Sequence, residues 1–180
     1  MPDEADPAFE GPPRARFSDR LTAFMLDAVL FSSGYFLTAS AALAAGGEGT
    51  GSLRLWLVLW GALFFAYHAW YAADGRRTLG KRALGLQVSL LDGRLPDLKT
   101  SLLRSAGYLL SSTFLCAGFL WALRGGRAWH DHLAGTWVVE AEARSPMTRK
   151  ASTVVAWAAA LLIAAAWFFT VAIGPSMARG

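Results

Sequence analysis

The sequence predicts an all-α membrane protein: a helical bundle of three spanning helices plus a re-entrant hairpin, or alternatively four spanning helices, with a small cytoplasmic two-stranded element. Three observations carry this expectation. Four runs, Leu21 to Ala44, Leu55 to Ala73, Ser105 to Leu123 and Ala151 to Ala178, are apolar and nearly free of charge, each close to or beyond the roughly 20 residues a helix needs to cross about 30 Å of hydrocarbon. Of 180 residues 54% are hydrophobic and only 17% charged, where a soluble domain carries about 25%. The charges also collect between the apolar runs, with one exception. Asp27 falls inside the first run, where a carboxylate costs roughly 2.5 to 3.5 kcal/mol to insert.

In chain order, MPDEADPAFEGPP is acidic and proline-rich and lacks the basic start and cleavage site of a signal peptide. Residues 1–13 are expected as a disordered tail, with a retained first helix over about 21–44. The glycine-rich stretch 46–51 is a flexible turn that makes the first two helices an antiparallel hairpin. The second helix, about 53–73, ends in Tyr67, Trp70 and Tyr71, the pattern of an interfacial aromatic belt. After it, Gly85 to Leu91 alternates as a strand does and Asp92-Gly93 supplies a turn. A second strand-like run, Thr136 to Glu140, follows the third helix (about 102–123), and two strands with no other partner invite pairing with each other. An additional C-terminal transmembrane helix is expected over 151–174.

Charge decides between the two topologies. With four plain spans, Lys and Arg divide as 11 against 6 across the membrane. If 101–123 instead dips in and returns as two half-helices meeting near Ser111-Ser112-Thr113, the split becomes 15 against 2, with only Arg54 and Arg179 outside. Basic residues favour the cytoplasmic side, so the re-entrant form with a cytoplasmic N-terminus is preferred. Re-entrant backbone needs protein cover, and hydroxyls at its tip help satisfy it. The net charge of +4 comes from residues that flank apolar runs, which points to anionic lipid headgroups and away from nucleic acid. The single cysteine, Cys116, excludes an intrachain disulfide.

Three motifs occur in order: Arg20-Leu-Thr-Ala-Phe-Met-Leu-Asp27, then Thr78-Leu-Gly-Lys81-Arg-Ala-Leu-Gly85-Leu-Gln-Val88 with Asp92-Gly93, then Trp129-His-Asp131-His-Leu-Ala-Gly135-Thr136-Trp-Val-Val139. Over roughly residues 14–142 the chain resembles the RDD family of small bacterial membrane proteins, named for one arginine and two aspartates. On that resemblance Arg20, Asp27 and Asp131 are the name-giving positions. The resemblance implies a multi-pass protein of the bacterial inner membrane and little chemistry, with transport suggested. His132 stands where members more often carry a basic residue such as arginine.

The residues themselves add geometry. Arg20 and Asp27 lie two helical turns apart, about 10 Å along the axis, too far for a direct pair. Arg20 can snorkel to the headgroups, whereas Asp27 must be neutral or meet a donor such as His68, a threonine or a basic loop residue. Asp131, at a depth that Trp129 and Trp137 suggest is interfacial, is expected to pair with Arg20. Lys81 and its arginine neighbours match a phosphate-loop spacing except at Arg82, but a membrane helix precedes them, and contact with lipid phosphates is expected instead. His130, Asp131 and His132 would project two to one side if they lay on a strand, yet no further Cys or His cluster completes a metal shell. His68 and His130 are kept as supporting residues beside Lys81. With no nucleophile and base, no acid and base pair and no cofactor motif, neither catalysis nor a cofactor is expected. Two functions are left: a non-catalytic accessory or scaffold subunit that assembles with a membrane partner or with itself, and a small oligomeric transporter or ion-coupled permease using the buried carboxylate.

Overall fold

In the computed structural model, residues 12–44, 50–113, 126–142 and 145–172 are described. The expected tail up to residue 11, most of the 46–51 turn, Cys116 and the end of the chain lie outside the described residues. Helix α1 (Phe17–Ala44) is followed by α2 (Thr50–Ala72), the short α3 (Leu79–Ala83), strand β1 (Leu86–Leu90), α4 (Leu98–Thr113), the short α5 (Trp129–Ala134), β2 (Thr136–Glu140) and α6 (Pro146–Ala172). Among the described residues two helices, over Phe17–Ala41 and Arg54–Ala72, are long and apolar enough to cross a membrane.

The α1 and α2 hairpin is packed by aromatic rings. Phe31 meets Trp60, Phe64 and Tyr67, with centroids 5.9, 5.2 and 4.9 Å away, and the Trp60 indole N–H donates to Thr38 Oγ1 at 3.1 Å. Outside this seam the apolar side chains face outward. Leu37 is 73% exposed and Val58 66%, the kind of apolar surface that soluble monomers rarely present and that hydrocarbon would cover.

The expected strand pair forms. β1 and β2 run antiparallel with Val88 opposite Val138 and Leu86 opposite Glu140. Asp92 caps the following turn by accepting the Arg94 N–H, and Gly93 takes the positive φ that the turn requires. A two-stranded ribbon is marginal by itself, and here it rests on other elements. Leu86 and Val138 cluster with Ala15, Ala23 and Leu84, and the chain just before α1 bonds to β2, with the Ala15 N–H on Val138 and the Glu140 N–H on Pro13.

Two expectations need correction. α4 stays helical through Thr113, so the chain does not turn at 111–113 and any return lies in 114–125, outside the described residues. The segment 129–134 is helical, not extended, which separates His130 from His132: the first is buried and the second exposed.

Candidate functional site

The polar residues converge where five elements meet, at the N-terminal end of α1. α4 brings a stripe of Ser101, Arg104, Ser105 and Tyr108, all buried, while Leu102 and Leu103 on its other face are exposed. That spacing places the four on one helical face, so α4 turns its polar side inward. α5 packs against it at Gly107, where a Cβ would lie 2.9 Å from the His130 Cβ. α3 approaches α1 more closely still: a Cβ on Gly80 would stand 1.9 Å from the carbonyl oxygen of Ala23. Only glycine permits that contact.

Asp131 is the hub. Its side chain is fully buried and pairs with two guanidiniums, Arg20 through Nη2 to Oδ2 and Arg104 through Nε and Nη2 to Oδ1, the latter at 3.0 and 2.8 Å. The Ala128 N–H donates to Oδ2 at 3.3 Å and the Thr136 hydroxyl to Oδ1 at 3.4 Å. Arg20 also donates to the carbonyl of Gly126. Burial alone would raise the pKa of Asp131, but Arg104 and then Arg20 overrule it and hold the carboxyl far below the usual carboxylate range. Asp131 is therefore ionised and charge-bonded on both oxygens.

This geometry brings together the described residues on either side of the third apolar run. Arg104, before it, and Gly126 and Ala128, after it, all reach the Arg20–Asp131 pair. The start of α6 joins the same end, because Arg149 donates to Asp19 at 2.9 Å and to both oxygens of Glu140.

Asp27 forms a second centre. Its Oδ1 accepts the Tyr67 hydroxyl at 3.0 Å and the Gly80 N–H at 2.8 Å, and the same hydroxyl accepts the Leu79 N–H at 2.7 Å. The polar segment after α2 thus reaches down to the level of Asp27 and solvates it. Among the described residues Oδ2 has no hydrogen-bond partner. His68, expected as a donor to Asp27, stacks instead on Tyr108, which in turn lies against His130, with centroids 5.3 and 4.0 Å apart. Among the described residues both ring nitrogens of His68 are buried without a hydrogen bond.

Lys81 departs furthest from expectation. It does not reach lipid phosphates but is buried between the two centres, beside Arg20 and Tyr108 at a cavity of about 10 Å³, room for about one water. Burial and the Arg104 charge push its ammonium down to about 8, partly countered by Asp27 and Asp131. His130 is likewise held neutral, pushed down to about 3 by burial despite the neighbouring Asp131. Three cations, Arg20, Arg104 and Lys81, thus face two carboxylates. Trp137, taken from the sequence as interfacial, is buried beneath the Arg14 guanidinium, 4.0 Å from its ring centroid.

The sequence analysis missed Arg104 and Tyr67. The signal for Arg104 was present: Ser101, Arg104, Ser105 and Tyr108 recur at helical spacing, a polar stripe on an otherwise leucine-rich helix. Among the described residues no group of three or more His, Cys, Asp or Glu side chains could hold a metal ion.

Apolar helices on the outside and a buried charge cluster at one end define a small membrane-associated helical protein. The chain belongs to the RDD family, whose model matches residues 14–135. That stretch holds Arg20, Asp27 and Asp131 together with Lys81 and Arg104, and it ends before β2. The family is membrane-associated and its role is unclear. No curated protein and no solved structure matches the chain.

Proposed function

We propose that this protein is a non-catalytic accessory or scaffold subunit of a complex in the bacterial inner membrane. α1, α2 and α6 span, the segment after Arg104 re-enters from the cytoplasmic face, and the N-terminus lies inside. The observation that carries this is the saturation of Asp131. A carboxylate offers about four lone-pair sites, and two arginines, a backbone N–H and a hydroxyl already occupy them. The adjoining cavity is water-sized. Such a hub has no room for a substrate; its chemistry is that of a clamp joining α1, α4, α5 and β2. The outward face of α6 supplies a surface for a partner helix, with Val154, Val155, Trp157 and Leu161 exposed between alanines that allow close helix approach. Purification of tagged protein in mild detergent followed by mass analysis tests the proposal. A stoichiometric second membrane protein is expected, and a pure homo-oligomer or monomer would contradict it.

One observation favours a second reading, an oligomeric ion-coupled transporter. Among the described residues Asp27 Oδ2 and both nitrogens of His68 are buried without partners, and the buried ammonium of Lys81 lies close enough to Asp27 to feel its charge. Intramembrane ionisable groups of this kind mark proton and ion paths. Asp27→Asn keeps an acceptor for Tyr67 and Gly80 and removes the charge. In proteoliposomes this reading requires a pH-driven flux that the variant abolishes at unchanged protein level; no flux from the wild type would sink it.

A further inference from the structure

α1 and α6 run side by side in parallel, since Arg149 near the start of α6 bonds to Asp19 near the start of α1, and Ala160 and Ile163 further on share a cleft with Ala28 and Phe36. Two clefts open along this seam. The upper one, of about 630 Å³, is lined by Arg16, Asp19, Glu140, Arg149, Lys150, Thr153 and Val154. Both of its carboxylates are held by Arg149, whereas among the described residues Arg16 and Lys150 form no ion pair, and both side chains are exposed. The lower cleft, of about 410 Å³, is lined by Met25, Ala28, Val29, Ser32, Ala160 and Ile163 among others, with Ser32 the one polar side chain among these. The Ser32 apart, it is a slot of small and apolar groups between two helices.

We infer that the α1–α6 seam binds one anionic phospholipid, its phosphate between Arg16 and Lys150 and one acyl chain in the slot beginning at Met25. The dimensions agree. Met25, Val29, Ser32 and Phe36 lie about 14, 20, 24 and 30 Å along α1 from Arg16 at 1.5 Å per residue, and a leaflet with its headgroup is about 20 Å thick, half of a 40–45 Å bilayer, so the Met25–Val29 end of the slot is the part that takes the chain. The charges agree as well. Arg16, which also acts on Glu140 across the cleft, and Lys150, neither in an ion pair among the described residues, attract a lipid with a net negative headgroup and give no advantage to a zwitterionic one. The slot alone would accept any acyl chain, so headgroup selectivity belongs to the upper cleft and chain retention to the lower. The site involves neither Asp131 nor Asp27 and goes beyond both functional readings above, resting only on the placement of α1 and α6 in the bilayer.

The test is native mass spectrometry of the full chain in mild detergent, titrated with phosphatidylglycerol or phosphatidylcholine of identical acyl chains. One phosphatidylglycerol should be retained at least fivefold more strongly than phosphatidylcholine. In the double variant Arg16→Gln, Lys150→Gln, which breaks no ion pair among the described residues, the preference should fall below twofold, while Arg54→Gln should leave it unchanged. Ala28→Leu, which fills the slot, should weaken both lipids, and the soluble headgroup glycerophosphoglycerol at equal concentration should not displace the bound lipid. Equal retention of the two lipids, an unchanged preference in the double variant, or displacement by the soluble headgroup would each overturn the site. Release of wild-type protein from membranes by alkaline carbonate would overturn the bilayer placement itself, a failure distinct from loss of headgroup preference.

Discussion

The two ends of α1 are built on opposite principles. Near its start Asp19, Arg20, Thr22 and Asp27 are buried, whereas further along Leu30 and Leu37 are exposed. α4 repeats the contrast around its own axis, with Arg104 inside and Leu103 outside. In water the pattern would be inverted. In hydrocarbon apolar packing has little to gain from burial, so the polar contacts decide which segments meet, and the aromatic α1–α2 seam only fills the space between them. The charged end should therefore be intolerant of small changes and the leucine surface indifferent to them.

The largest effect is expected at the hub. Asp131→Ala leaves Arg20 and Arg104 buried without a counter-charge, and breaking a buried pair in this way costs about 3 to 5 kcal/mol. The variant should lose most monodisperse protein in fluorescence-detected size exclusion, while Leu37→Ala on the exposed face should stay near wild type. The same hub changes the outcome of a charge swap. If Arg20 and Asp131 formed an isolated pair, Arg20→Asp with Asp131→Arg would restore each other. Because Arg104 also sits on Asp131, the exchange sets two guanidiniums against one another, and recovery should be small.

A smaller but still clear loss is expected from Gly80→Ala. The added methyl would meet the backbone of Ala23, which cannot rotate away as a side chain can, and overpacking of this sort costs about 1 to 3 kcal/mol. It should lower the thermal midpoint in detergent, whereas Gly61→Ala, where a Cβ meets nothing within 4 Å, should not.

The smallest effect carries a sign. Lys81 holds its proton to about 10.5 when unfolded and to about 8 when folded. Below pH 8 both states are protonated and the buried charge penalises the fold in full. Between about 8 and 10.5 the unfolded state binds more protons, so the stability contributed by this group rises with pH. Lys81→Met should be the more stable protein at pH 7 by thermal midpoint, with its advantage over wild type shrinking as pH approaches 10. A constant gap would mean that the ammonium is better solvated than its burial implies.

How much of this was legible in the sequence follows from the same physics. The Arg20–Asp131 contact could be anticipated because each is a charge beside an apolar run with no opposite charge well placed on its own helix. The β1–β2 pairing followed from two strand patterns with no other partner. The third apolar run was ambiguous, because a chain that crosses and a chain that returns are equally apolar. The contacts of Arg104 and Ala128 with one carboxylate support the proposed return. Lys81 and Tyr67 were assigned to the interface because basic and aromatic residues usually lie there. The tight approach that carries Lys81 inward depends on Gly80, whose role is visible only against the backbone of α1.

The central claim is that the chain returns after α4, so that residues on both sides of 105–125 share one face of the membrane. Single cysteines at Arg94, Ala141 and Arg54, in a background with Cys116 replaced by serine, can be challenged with an impermeant thiol reagent on intact cells. Arg94 and Ala141 are exposed at the charged end, and Arg54 lies about 20 Å along α2 from Tyr67 at 1.5 Å per residue. The account predicts protection at 94 and 141 and labelling at 54. Labelling of 141 together with 54, while 94 stays protected, would contradict it and restore four plain spans.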